Sequence, residues 1–275
     1  SNDVTILDTA LHRVIETAAT GARPLLPCVA ADDTAVYLPS GPNRNVTVLG
    51  RNGEFRATVP VGEAPHDIAV SPDGRWAYQP NSGSHTVTVI DGRSHTTVGE
   101  IAVGLGPGHI AFDPDGRYAY VANTVSNDIT VIDTASHEPR ATITAGEGAH
   151  LPAISADGRY GYVANFAADS LSVWSCRDHR PLATLAVGVY PHFFALSGDG
   201  RWIVVSNTGE SSICLFDAHT HELRARLEVG GAPAHIAFSP DNECAFVACE
   251  RSDEVAVVDL GRAKAIALLD AGKVG

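Results

Sequence analysis

An Asp-Gly-Arg triplet returning every 42 residues, four short β segments inside each return, and no stretch of helical period predict an all-β fold. Its class is the seven-bladed β-propeller, built from four-stranded antiparallel blades. The triplet stands at Asp73-Gly74-Arg75, Asp115-Gly116-Arg117, Asp157-Gly158-Arg159 and Asp199-Gly200-Arg201. The same step carries Asn81 to Asn123, Asn165 and Asn207, and Asp91 to Asp133, with Asp217 and Asp259 further on. A degenerate copy covers residues 24–40.

The third full repeat shows the elements in order. Residues 108–113 (GHIAFD) read as strand A and 117–122 (RYAYVA) as strand B, joined by the tight-turn signal Pro114-Asp115-Gly116. Residues 127–132 (NDITVI) alternate polar and apolar, the period of a half-buried strand, and form strand C. Residues 141–144 (ATIT) form strand D before a Gly-rich link to the next repeat. The repeats run over 24–63, 65–105, 107–147, 149–189, 191–231 and 233–275, in a single predicted domain spanning 1–275.

Strand C occurs seven times, strands A and B six. Ser1-Asn2-Asp3 aligns with Ser126-Asn127-Asp128, so residues 1–20 read as a C–D half-blade with one A–B pair missing. Seven blades closed by a blade shared between the chain ends is the expected ring, because closure removes exposed strand edges. Without that pair, the edge of the half-blade is expected to lie open to a partner strand or to aggregation.

Composition narrows the function. The 275 residues are 44% hydrophobic, and no apolar run is long enough to span a membrane. Nineteen basic against 32 acidic residues leave −13, which argues against nucleic acid or an anionic membrane surface as partner. There is no Met, and the five cysteines make neither a CxxC pair nor a CxxCH haem-attachment motif. No GxSxG, HExxH or GxxxxGK motif is present.

Residues 107–123 (PGHIAFDPDGRYAYVAN) followed by 126–133 (SNDITVID) resemble the YVTN-type β-propeller repeat of bacterial and archaeal exported and surface proteins, and the resemblance covers essentially the whole chain. It departs at residues 24–40, which lack the Gly turn, and at Asn242, which stands where other copies have Gly. The resemblance implies a periplasmic or extracellular WD40-like propeller. It does not choose among binding modules, surface-layer proteins and relatives of enzyme propellers.

In a propeller, strand A lines the central channel, and the D-to-A links and B-to-C loops open on one face. His66, His150 and His192 occupy one repeat position there, and His109 and His235 the next. One reading is a metal site: neutral imidazoles from neighbouring blades suit copper, zinc or iron, with Asp67 ligating or orienting a ring. The other is that these imidazoles hydrogen-bond backbone and fill a polar funnel. The offset between the two sets favours the second, since neighbours on a strand point to opposite faces.

Further ligand-binding candidates are Tyr190, which can stack on a ligand, and Cys249 with Glu250 and Arg251, a thiol beside a cation. Glu63 and Glu147 occupy matching links as a candidate acidic rim. The aspartates ending strand C, and those of the Asp-Gly-Arg turns, are expected to be turn formers. His85, His95, His137, His179, His219 and His221 receive no role.

The expected function is an exported propeller binding a small molecule or protein at its His-rich channel mouth. The rivals are a metal- or cofactor-dependent enzyme, lactonase-like or tetrapyrrole-handling, and a structural surface module without a site. The d1-haem propellers are similar in repeat style but larger.

Overall fold

The computed structural model describes residues 2–30 and 33–272. Ser1 and the last three residues of the 233–275 repeat lie outside these. Among the described residues, 26 strands form seven antiparallel sheets, and there is no helix. The fold class is the seven-bladed β-propeller, with six four-stranded blades and one of two strands. The chain divides into two compact units, residues 1–142 and 143–275.

The first unit opens with the two-stranded sheet, β1 (Asp3–Asp8) and β2 (Arg13–Ala19). The next blade comprises β3 (Cys28–Val29), β4 (Ala35–Ser40), β5 (Asn45–Gly50) and β6 (Phe55–Pro60). It is followed by β7 (Ala69–Val70), β8 (Trp76–Asn81), β9 (Thr86–Asp91) and β10 (Thr96–Ala102). Then come β11 (Pro107–Phe112), β12 (Tyr118–Asn123), β13 (Asp128–Asp133) and the start of β14 (Glu138–Thr144). Every sheet is a meander, its strands bonded in chain order. Apolar residues of facing sheets make the core: Tyr37, Val46 and Val48 pack with Ile68 and Ile90, and Tyr78 and Val89 with Ile110 and Ile132.

The second unit holds three full blades. They are β15 (Ala149–Ile154) to β18 (Arg180–Ala186), through β16 (Tyr160–Asn165) and β17 (Ser170–Ser175); β19 (Pro191–Leu196) to β22 (Leu223–Glu228), through β20 (Trp202–Asn207) and β21 (Ser212–Asp217); and β23 (Pro233–Phe238) to β26 (Lys264–Asp270), through β24 (Cys244–Cys249) and β25 (Glu254–Asp259). One core cluster joins Tyr162 and Val173 to Phe194 and Phe216, another Trp202 and Leu215 to Val247 and Val258.

Side chains spent on turns explain the conserved pitch of the repeats along this chain. Ser71 Oγ donates to Asp73 Oδ1 at 2.6 Å, and that oxygen accepts the Arg75 N–H at 3.0 Å. Ser155 with Asp157, Ser197 with Asp199 and Ser239 with Asp241 repeat the bond. The turn needs a left-handed residue, met by Gly74 at φ 69° and by Asn242 at φ 57°, so Asn is a competent substitute for Gly there. Asp91, Asp133 and Asp217 accept backbone N–H groups two and three residues on, as expected of turn formers.

A second device sets the links that carry the site. The Asn165 Oδ1 accepts the Gly146 N–H at 3.1 Å, and its Nδ2 donates to Ser170 and Ser172. Asn207 holds Gly188 in the same way, at 2.9 Å. The end of strand B thereby fixes the D-to-A link that leads into the same blade's strand A.

Candidate functional site

In the first unit, His66 follows Pro65 just before β7, and His109 lies in β11. Asp67 and His109 hold the same repeat position on adjacent blades, and Asp67 Oδ2 lies 3.1 Å from His109 Nδ1. A carboxylate oxygen only accepts, so Nδ1 carries the hydrogen and the carboxylate fixes the tautomer. His109 is buried and the His66 ring meets it edge-on, with centroids 4.9 Å apart. His66 stays open to solvent, yet crowding by protein and then the neighbouring His109 hold its pKa below the usual imidazole value, against the pull of Asp67. The pair thus presents a neutral imidazole beside one oriented by a carboxylate.

In the second unit, the expected residues join a larger array. His150 in β15 and His192 in β19 share a repeat position, and their rings lie 4.7 Å apart. Tyr190 stacks on His192 at 5.8 Å with an interplanar angle of 7°. Phe166, in the loop after Asn165, touches Tyr190 at 5.1 Å, His150 at 5.7 Å and His192 at 6.4 Å. Phe193 continues from His192 at 4.5 Å to His235 at 4.0 Å. Six rings from three blades form one continuous shelf.

The local backbone explains the shelf. Tyr190 takes a left-handed conformation at φ 55°, held by its N–H donating to Asp169 Oδ1 at 2.9 Å. Gly148 has φ 74°, and a Cβ there would sit 2.9 Å from the Ala167 nitrogen and 3.1 Å from the Phe166 ring. Only glycine lets the link lie against that ring.

The offset between the two histidine sets does not keep His109 from His66. Pairing of β11 with β12 slips between Pro107 and His109, and that of β19 with β20 between Pro191 and Phe193. Each irregularity resets the alternation of faces at the head of strand A. His109 therefore meets His66.

No group of three or more His, Cys, Asp or Glu side chains among the described residues is placed to hold a metal ion. His66 and His109 in one unit, and His150, His192 and His235 in the other, are thus aromatic and hydrogen-bonding neighbours without a ligand set.

Cys249 ends β24 at the Asn position and is buried with the apolar cluster around Val247. A Cβ on Gly230 would lie 2.7 Å from the Cys249 Cβ, and burial raises the thiol pKa. This is a packing thiol, protonated at neutral pH, and the opposite of an activated nucleophile. Glu250 and Arg251 lie exposed in the following turn, their N–H groups donating to Ala232 and Gly231 carbonyls. Glu63 pairs with Arg44 at 2.8 Å on the surface. Among the described residues, none of the five cysteines is joined in a disulfide.

Several histidines left without a role have one. His95 Nδ1 lies 3.2 Å from the Tyr37 hydroxyl, His137 Nδ1 2.6 Å from that of Tyr78, and His221 Nε2 3.0 Å from that of Tyr162. Each joins a C–D turn to strand B of the preceding blade. Burial is the first cause that lowers the pKa of all three imidazoles. A cleft of about 590 Å³, counted out to its open mouth, lies at the other end of strands β15 and β19. Its wall includes Ser155, Asp157, Ser197 and Asp199, whose hydroxyls and Oδ1 atoms are committed to turn bonds, so the shelf is the better candidate.

The model of the YNCE-like beta-propeller family matches residues 1–275. The chain belongs to that family. Against curated proteins the sequence of this YNCE-like propeller finds no match. Among solved structures it is similar to hydrazine synthase of Kuenenia stuttgartiensis, with a TM-score of 0.74 and 23% identity over 86% of this chain and 76% of that one. A functionally unknown protein from Desulfotomaculum acetoxidans gives 0.77 and 14% identity over 98% and 92%. The dihydro-heme d1 dehydrogenase NirN in complex with DHE gives 0.63 and 20% identity over 98% and 71%. At these identities the likeness is one of fold.

Proposed function

We propose that this YNCE-like propeller is a small-molecule-binding module whose ligand is flat and conjugated and stacks on the shelf of the second unit. The carrying observation is the stack of Tyr190 on His192 with Phe166 beside it. Tyr190 is 43% exposed, so part of that surface is open to a ligand. Rings of this kind bind by offset stacking or edge contacts, each worth about 0.5–1.5 kcal/mol beyond area burial. The likeness to a dihydro-heme d1 dehydrogenase in complex with DHE supports a tetrapyrrole as the first probe. The resemblance of the repeats to the YVTN type supports a place outside the cytoplasm, to be checked by fractionating cells that make the native protein.

The direct test is titration with protoporphyrin IX followed by its visible absorption. Saturable binding is expected, weakened about 3- to 10-fold by Tyr190→Ala or by Phe166→Ala, the fold-change that one lost ring contact implies. Binding that neither substitution changes would place the ligand elsewhere. No response to flat conjugated probes would end the reading.

A further inference from the structure

We infer that the ligand of the shelf is a planar aromatic cation. This rests on the stacking reading above and adds to it the sign of the ligand's charge.

Charge is sorted by end within the second unit. The D-to-A links and B-to-C loops at the shelf end carry Glu147, Asp169, Glu210, Glu250 and Asp253. Two cations, Arg226 and Arg251, stand at that end among the described residues. Arg226 is already engaged, pairing with Glu210 at 3.3 Å and donating to the Val187 carbonyl at 2.6 Å. At the far end, by contrast, Arg159 and Arg201 stand in A–B turns and Arg177, Arg180 and Arg262 at C–D turns.

Two of the carboxylate residues are tied to the shelf itself. Asp169 Oδ1 accepts the Tyr190 N–H at 2.9 Å, and the Glu147 carbonyl accepts the N–H of Ala167, next to Phe166, at 3.2 Å. Both residues are exposed, so their charge acts on whatever lies over these rings.

The aromatic rings of the same unit point the same way independently. At the far end, Arg159 lies over Tyr160 and Arg201 over Trp202, each with its guanidinium carbon 5.4 Å from the ring centroid. Among the described residues, no arginine or lysine lies over Phe166, Tyr190 or Phe193. A ligand cation on the shelf takes the place that a guanidinium fills elsewhere, and is held by ring faces and carboxylates together. An anion of the same shape gains the stacking alone and is repelled by the rim.

The test titrates the 275-residue protein at low salt with proflavine, a planar cation, and anthracene-9-carboxylate, a planar anion, following the fluorescence of each. Proflavine is expected to bind roughly tenfold more tightly, with salt narrowing the gap. Glu147→Gln combined with Asp169→Asn keeps an amide oxygen to accept the Tyr190 N–H. It should weaken proflavine binding about 3- to 10-fold and leave the anion bound no more weakly. Asp178→Asn combined with Glu222→Gln removes the same charge from C–D turns at the far end and should change neither affinity. Equal effects of the two double substitutions would overturn the inference, because the preference would then belong to the −13 of the whole chain. Equal binding of both probes, each weakened by Tyr190→Ala, would overturn it and leave the stacking reading standing. Binding of neither probe would end both.

Discussion

His137 shows how a single side chain can be fixed by a neighbour outside its own repeat. It sits at φ 58°, where few residues are at ease, and its Nδ1 lies 2.6 Å from the hydroxyl of buried Tyr78, with Trp76 edge-on at 4.5 Å. A net hydrogen bond of this kind contributes about 1 kcal/mol, more if its loss leaves a buried partner unmatched. Tyr78→Phe is therefore expected to lower stability by roughly 1–2 kcal/mol in urea denaturation. An unchanged midpoint would show the contact to be incidental. None of this was legible in the sequence. Aligning copies compares equal positions, while the contact joins unequal positions in successive copies. Phe166 was missed for a related reason: Ser82, Thr124 and Thr208 occupy its place elsewhere, and its aromatic character was the one available signal.

At the scale of a strand pair, Gly161 and Trp174 face each other across β16 and β17. A Cβ on Gly161 would lie 2.0 Å from the Trp174 indole, which is buried. Other blades place Ala77 or Ala119 opposite Ile90 or Ile132, a smaller partner for a larger strand-B residue. Gly161→Ala is expected to cost about 1–3 kcal/mol through overpacking. Adding Trp174→Ile should restore most of it, since the pair then matches its sister blades. Failure of the double substitution to recover stability would mean that the indole has a further role. The strands themselves were legible, because alternation and turn chemistry agree in each repeat. Their irregularities at the head of strand A were not, since a slipped pair leaves no mark on a pattern of period two, and so the meeting of His66 with His109 went against expectation.

Across the whole molecule, the same imidazoles give stability a dependence on pH. Free imidazole takes its proton near 6.5. His95, His137 and His221 bind it less readily in the fold, chiefly because they are crowded by protein. Arg56 and Asp91 act on the first, Arg75 and Asp133 on the second, Asp217 and His219 on the third. Between the unfolded and the lowered folded value, the unfolded chain holds more protons. Their contribution is thus fully present above about pH 6.5 and is lost as pH falls through the folded values. Melting temperature should decline below pH 6.5, and replacing all three histidines by Gln should flatten that decline. A slope unaltered by the triple substitution would assign it to other groups. The repeat count and fold class were legible from pitch alone, whereas these energetic couplings depend on which blades touch.

The Tyr–His contacts also bear on how such a gene can change length. Their partners lie 58 or 59 positions apart, always one copy and part of the next. A tandem duplication or in-frame loss of 42 codons hands each tyrosine an equivalent histidine, whereas a change of half that size strands both. Whole-unit changes thereby keep the Tyr–His pairing and fractional ones break it.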